Sequence, residues 1–219
     1  MDDTRNFNRV RLCGQMLTEP VLSHVNHGET FCKFSLAVNR LSGQTDVLPI
    51  IVSQQLLEQT PSRPGDALCV TGQLRSFNNK SGVGSRLVIS VFAQSLTPCS
   101  GEPFNQIQLS GIVCKTPTLR RTPLGRSICD VILAVNRRYG RADYLPCIAW
   151  GLVAQQVGAM RVGERLTLEG RVQSRTYAKN TGVQTEQRTA YEVSVMHLAS
   201  PEDFAPSAAG ACPDTLLPY

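Results

Sequence analysis

Three separated segments of this chain recur at one constant offset. Phe34-Ser35-Leu36-Ala37-Val38-Asn39-Arg40 returns 97 positions later as Val131-Ile132-Leu133-Ala134-Val135-Asn136-Arg137. The same shift carries Leu12-Cys13-Gly14 onto Leu109-Ser110-Gly111, and Asp46-Val47-Leu48-Pro49 onto Asp143-Tyr144-Leu145-Pro146. A period near a hundred residues is too long for a solenoid unit, so each copy must be a domain with its own core. The reading is a first domain over 1–97, a linker over 98–104, a second domain over 105–200 and a disordered tail over 201–219. The tail is rich in Ala, Pro and Gly and lacks periodicity. The linker carries Pro98 and Pro103, which restrict the relative orientations of the two copies.

Each copy reads as five short strands. In the first they fall near Phe7–Met16, Glu29–Asn39, Val47–Ser53, Ala67–Ser76 and Ser85–Gln94; in the second, near Asn105–Lys115, Gly125–Val135, Asp143–Trp150, Arg165–Thr176 and Gln187–Leu198. Gly14 and Gly111 lie inside the first strands, where glycine marks a sharp bend, and a bent strand serves two sheets at once. After the third strand, Gln54–Gln59 and Leu152–Val157 have room for one or two helical turns. The turns Asn78–Gly82 and Lys179–Gly182 predict exposed, mobile hairpins between strands four and five. The fold class is all-β. Two architectures fit the pattern: a pair of OB-folds, each a five-stranded Greek-key barrel with a short helix after strand three, or a plain two-sheet sandwich.

The formal charge of +5 is unevenly placed. Residues 1–104 hold 9 Lys and Arg against 8 Asp and Glu, whereas residues 105–200 hold 13 against 6. A basic domain beside a nearly neutral copy of itself points to a polyanion as the second copy's partner. The eight cysteines are scattered singly without a Cys-x-x-Cys pair, which argues against zinc, and Cys32 and Cys129 read as compact strand hydrophobes. His24 and His27 read as part of a solvated loop. No metal, cofactor or small-molecule substrate is expected. No stretch approaches the roughly 20 apolar residues of a membrane span, and Met1–Arg5 lacks the order of a signal peptide, so the expected compartment is the cytoplasm. Phosphate loops, nucleophile elbows and paired carboxylates are missing from the sequence, which reads as non-enzymatic.

Aromatic residues cluster with cations in the second copy. Tyr144 and Trp150 are six apart in one strand and so share a face. Tyr139 and Tyr177 lie among Arg137, Arg138, Arg141, Arg175 and Lys179. Such interleaving suits unpaired nucleic acid, because every base offers a π-face and every phosphate a charge. Trp150 as a core anchor and Tyr144 as a half-buried strand residue are the competing placements. Arg120, Arg121 and Arg126 surround the turn Thr122–Gly125, which either borders the strand path or is merely solvated.

Leu133-Ala134-Val135-Asn136-Arg137, Cys147-Ile148-Ala149-Trp150 and Leu168-Glu169-Gly170-Arg171-Val172, in this order and spacing, resemble the bacterial single-stranded DNA-binding proteins (SSB), above all members with two OB-folds per chain. The resemblance covers about residues 7–96 and 105–200. It implies sequence-tolerant binding of single-stranded DNA in replication, recombination or repair, with bases stacked at Tyr139, Tyr144, Trp150 and Tyr177. The first-copy equivalents are Ser42, Val47, Ser53 and, in the hairpin, Phe77. The first domain is therefore expected to serve assembly. Four-barrel assemblies in the family imply a homodimer here. Family members commonly end in aspartates before a Pro-aromatic tip that recruits replication and repair proteins. This chain ends Pro213-Asp214-Thr215-Leu216-Leu217-Pro218-Tyr219, matching only the tip. The rival readings are an OB-fold interaction module that assembles a replication or recombination complex, and a single-stranded RNA binder.

Overall fold

Alternation of apolar and polar residues builds strands in both halves. In the computed structural model, which describes residues 7–79, 87–137, 140–180 and 185–204, the first half runs β1 (Phe7–Met16), β2 (Val21–Asn26), β3 (Glu29–Asn39), β4 (Thr45–Ser53), α1 (Gln54–Gln59), β5 (Ala67–Asn78) and β6 (Leu87–Pro98). The second repeats this as β7 (Phe104–Val113), β8 (Thr118–Arg121), β9 (Ser127–Asn136), β10 (Ala142–Trp150), α2 (Gly151–Gly158), β11 (Arg165–Asn180) and β12 (Thr185–Leu198). In β5, Leu68, Val70 and Leu74 face inward on every second position, each at most 1% exposed. Residues 80–86 and 181–184, which include most of both expected hairpin turns, lie outside the described residues.

Each half closes into a barrel through its first strand. β1 pairs with β5 along Val10–Gln15 and then with β3 at Gln15 and Met16, while β4 and β6 run parallel at Ile50 and Val91. The second half repeats this with β7 against β11 and β9, and with β10 parallel to β12 at Cys147 and Val193. This is OB-fold closure, not a sandwich. The bend sits at the expected glycines: a Cβ on Gly14 would drive into the Ala37 carbonyl oxygen, and one on Gly111 into that of Ala134. Two strands were not expected. β2 and β8 are short edge strands with every residue exposed, pairing with β3 and β9. The supposed loop histidine His24 thus lies in β2, its ring stacked 5.0 Å from that of Phe31.

The barrels join edge to edge. β1 and β7 pair antiparallel, Phe7 with Ser110 through Cys13 with Phe104, making one sheet of twelve strands. Val10 and Ile107, which are repeat equivalents, face each other at the centre of this ladder. The pairing is therefore isologous, as in a two-fold dimer, but within one chain. Side chains repeat the symmetry. Asn8 Nδ2 donates to the Leu74 carbonyl at 2.8 Å and its Oδ1 accepts from Leu74 N at 2.9 Å; Asn105 does the same with Val172 at 2.7 and 2.9 Å.

The seam also carries two buried carboxylates. Asp143, 1% exposed, accepts the Arg137 Nε at 2.6 Å, a second short bond from Arg137 Nη2, and the Ser76 backbone N–H of the other barrel at 2.5 Å. Tyr144 N donates to Ser76 Oγ at 2.7 Å, and Arg137 Nη2 to the Ser76 carbonyl at 2.9 Å. Across the pseudo-axis, Asp46 is fully buried, pairs with Arg40 at 2.5 Å and accepts the Ser174 N–H at 2.8 Å. Val47 N donates to Ser174 Oγ at 3.1 Å.

Two expectations are corrected here. The segment assigned wholly to a disordered tail begins with a 3-10 turn at Pro201–Phe204, whose Phe204 is 7% exposed and packs 5.3 Å from the Phe7 ring. Apolar burial against the first strand holds it; residues 205–219 lie outside the described residues. The cysteines are not all isolated. Cys129 and Cys147 are buried as strand hydrophobes, and burial raises both thiol pKa values. Cys13 and Cys69, however, form a disulfide across β1 and β5. Pairing across antiparallel strands makes neighbours of residues 56 apart, which sequence spacing hides.

Candidate nucleic-acid interface

β10 sets out the rings. Leu145, Cys147 and Ala149 point into the barrel, each at most 2% exposed, while Asp143 of the same parity turns into the seam, so Tyr144, Pro146, Ile148 and Trp150 line the outer face. Tyr144 is 49% exposed and Trp150 42%, so Trp150 is not a core anchor, and Tyr144 is a strand residue with half its surface open. Trp150 closes the strand and occupies the N-cap position of α2 with extended backbone. Its ladder partner in β9 is Ile128, whose partner in β8 is Arg120. Arg120, Ile128 and Trp150 thus form one row on the outer face. Ile128, between them in this row, is 3% exposed.

The cations divide by environment. Arg137 is committed to the seam: its guanidinium is spent on Asp143 and the Ser76 carbonyl, which corrects its expected place among phosphate-facing residues. Arg120 bonds Asp130 at 2.8 Å, but both side chains are about half exposed, a pair worth little in water. Arg121 follows it in β8 and so points to the opposite face, away from Trp150. Arg126 and Arg141 are exposed at the turns Thr122–Arg126 and Arg137–Arg141. Arg175, 60% exposed, lies 3.6 Å from Glu192 and places its guanidinium carbon 5.7 Å from the Tyr177 ring centroid, a cation–π approach. Arg138 and Tyr139 lie outside the described residues, as does the Lys179 side chain.

Tyr177 and Phe77 come from the two hairpins. Tyr177 is 36% exposed and Phe77 53%. Phe77 follows Ser76, whose hydroxyl accepts from Tyr144 N, so the first barrel's hairpin is held beside the second barrel's ring-bearing strand. A groove of about 330 Å³ runs along this seam, lined by Leu87–Ile89 of the first barrel and by Pro146, Tyr177, Arg188 and Tyr191 of the second. Arg188 and Tyr191 were not anticipated. Arg188 is the ladder partner of Tyr177, a pairing that only the observed register of β11 against β12 gives. Tyr191 is half buried, and burial raises its phenol pKa.

Exposed rings on a strand face, cations at the neighbouring turns and a paired OB scaffold define a class: a barrel protein that lays unpaired nucleotides on its outer surface. Comparison with known proteins agrees. The model of the single-strand binding protein family matches residues 7–98 and again 104–200, and the chain belongs to that family. It is 36% identical over 87 residues to the single-stranded DNA-binding protein B of Bacillus subtilis, covering 36% of this chain and 77% of that one. The single-stranded DNA-binding protein of Thermus aquaticus aligns over 97% of this chain and 91% of its own length at 26% identity. The crystal structure of the wild-type Thermus aquaticus protein superposes with a TM-score of 0.71 at 23% identity, covering 95% of this chain and 97% of that one, which matches both barrels in fold. Among the described residues, no helix is long and apolar enough to cross a membrane.

Proposed function

We propose that the protein binds single-stranded DNA without reading its sequence, protecting it during replication, recombination or repair in the cytoplasm. The observation that carries this is the outer face of β10, where Tyr144 and Trp150 stand half exposed in a chain of the single-strand binding protein family. Bases stack on Tyr144, Trp150 and Tyr177, and Phe77 extends the path from the first barrel. Each stacked base contributes about 1–3 kcal/mol. Arg120, Arg126, Arg141, Arg175 and Arg188 hold phosphates along the same path. Tyr139, Arg138 and Lys179 join this set by their place in the chain. The first barrel, with Val47 and Ser53 where the second has Tyr144 and Trp150, serves mainly assembly.

One chain already contains a two-fold pair of barrels, so two chains give the four-barrel assembly of the family. A homodimer is the expected state, and light scattering that returns a monomer at micromolar concentration would count against it. The binding test is titration of Trp150 fluorescence with oligo-dT, oligo-U and duplex DNA at two salt concentrations. Quenching by oligo-dT that weakens with salt supports the reading; equal binding of duplex overturns it. Stronger binding of oligo-U would move the assignment to RNA.

A further inference from the structure

Three cysteines far apart in sequence converge away from the ring-bearing face. Cys13 and Cys69 are ladder partners in β1 and β5, and Cys99 follows the last residue of β6, its backbone N–H donating to the Ala67 carbonyl at 2.9 Å. Register puts all three on one side of the sheet. Leu12, Leu68 and Leu96 fill the barrel, so residues of the opposite parity, Cys13, Cys69 and Cys99, face outward. All three are partly buried. Cys99 Sγ lies 2.8 Å from Cys13 Sγ, and the three sulfurs lie within 4.8 Å of one another.

A disulfide uses two sulfurs, and the third in contact with it is what the pair does not need. The second barrel sharpens the contrast. The equivalents of Cys13 and Cys69 are Ser110 and Thr167, whose hydroxyls hydrogen-bond at 3.0 Å in the same place. The fold is thus satisfied there by hard oxygen donors, whereas the first barrel gathers sulfur at this place. Arg11, two residues before Cys13 in β1, stands on the same face and supplies a positive charge beside it.

We propose that Cys13, Cys69 and Cys99 form a trithiolate site for a soft d10 metal ion, zinc or monovalent copper, in the reduced protein. Thiolates select such ions, and three sulfurs about 2.3 Å from a common centre would stand about 3.8–4.0 Å apart, which the trio reaches once the Cys13–Cys69 bond opens and Cys99, 2.8 Å from Cys13, draws back by about 1 Å. A dithiol reductant opens the Cys13–Cys69 bond, supplying two electrons and two protons and becoming a disulfide itself. The ion then replaces three thiol protons, which pass to solvent, and a water completes a zinc coordination shell. The disulfide is the metal-free, oxidised form of the same site.

The experiment titrates full-length protein, reduced and desalted without oxygen, with Cd²⁺ as optical probe, reading thiolate-to-cadmium absorbance in the ultraviolet, and then repeats it with Zn²⁺ against a chromogenic chelator. One equivalent per chain is expected, with Cys13, Cys69 and Cys99 protected from iodoacetamide. Cys99→Ser should weaken binding about a hundredfold or more, while Cys32→Ser leaves it unchanged. Circular dichroism checks that each variant is folded. Absence of saturable one-to-one binding, or equal affinity in Cys99→Ser, overturns the assignment. DNA binding is read separately, so failure of this site leaves the stacking face untouched.

Discussion

Removing one carboxylate should separate the two kinds of Arg–Asp pair in this protein. Arg137–Asp143 and Arg120–Asp130 are both bidentate, yet Asp143 is 1% exposed and Asp130 46%. In Asp143→Ala, Arg137 loses its partner and the Ser76 N–H loses its acceptor. Breaking a buried pair costs about 3–5 kcal/mol. Arg137 is 26% exposed, so part of its charge regains water and the loss falls near the lower figure; the buried Ser76 N–H has no such route. The expected destabilisation is about 3 kcal/mol, or roughly 6–12 °C in Tm for a chain of this length. Asp130→Ala should cost about 0–1 kcal/mol. Urea unfolding followed by circular dichroism and by Trp150 fluorescence measures both. Replacing both partners, Arg137→Met with Asp143→Leu, should recover much of the loss, since no unpaired charge remains. The reasoning fails if Asp143→Ala and Asp130→Ala cost the same, or if the double replacement is worse than the single.

Other consequences follow from the interface and the chain end. Trp150→Ala and Tyr144→Ala should each weaken oligo-dT binding by about 1–3 kcal/mol, roughly 5- to 150-fold, with stability nearly unchanged because both rings are half exposed. If Phe77→Ala costs as much as Trp150→Ala in the same titration, the assembly role given to the first barrel is wrong. Arg141→Ala should lower the slope of log affinity against log salt by about 0.7, the value for one phosphate contact on a single strand; an unchanged slope removes it from the path. Phe204→Ala should destabilise by about 3 kcal/mol in thermal melts, and a neutral result would detach the 3-10 turn from the core.

Local patterns carried most of the architecture. The ten expected strands, the two short helices and the bends at Gly14 and Gly111 all follow from alternation and glycine position, which act over a few residues. β2 and β8 escaped because a strand exposed on every position has no alternation to read. For the same reason Arg120 and Arg121 read as loop cations, although the strand sends them to opposite faces. Arg137 was misplaced because its sequence neighbours are basic; its partners, Asp143 and Ser76, are 6 and 61 residues away. The trio Cys13, Cys69 and Cys99 was invisible for the same physical reason, since only β pairing brings them together.

The duplication explains which residues the two copies share. A contact made across a two-fold seam is made twice, once from each side, so a position there serves two interfaces at once. Asp46 and Asp143, and Ser76 and Ser174, are identical pairs in the reciprocal bonds across the seam, while the identical pairs Arg40 and Arg137, and Asn8 and Asn105, hold those carboxylates and the flanking strands within each barrel. Val47 stands where the second copy has Tyr144, and Ser53, 8% exposed and capping α1 through its hydroxyl, where it has Trp150. At the end of the seam ladder, Cys13 and its β5 partner Cys69 stand where the second copy keeps Ser110 and Thr167. Fusion of two barrels thus kept the Asp–Ser bonds across the seam reciprocal while each outer face specialised. A homodimer of single barrels could not do this, because one sequence would have to supply both faces.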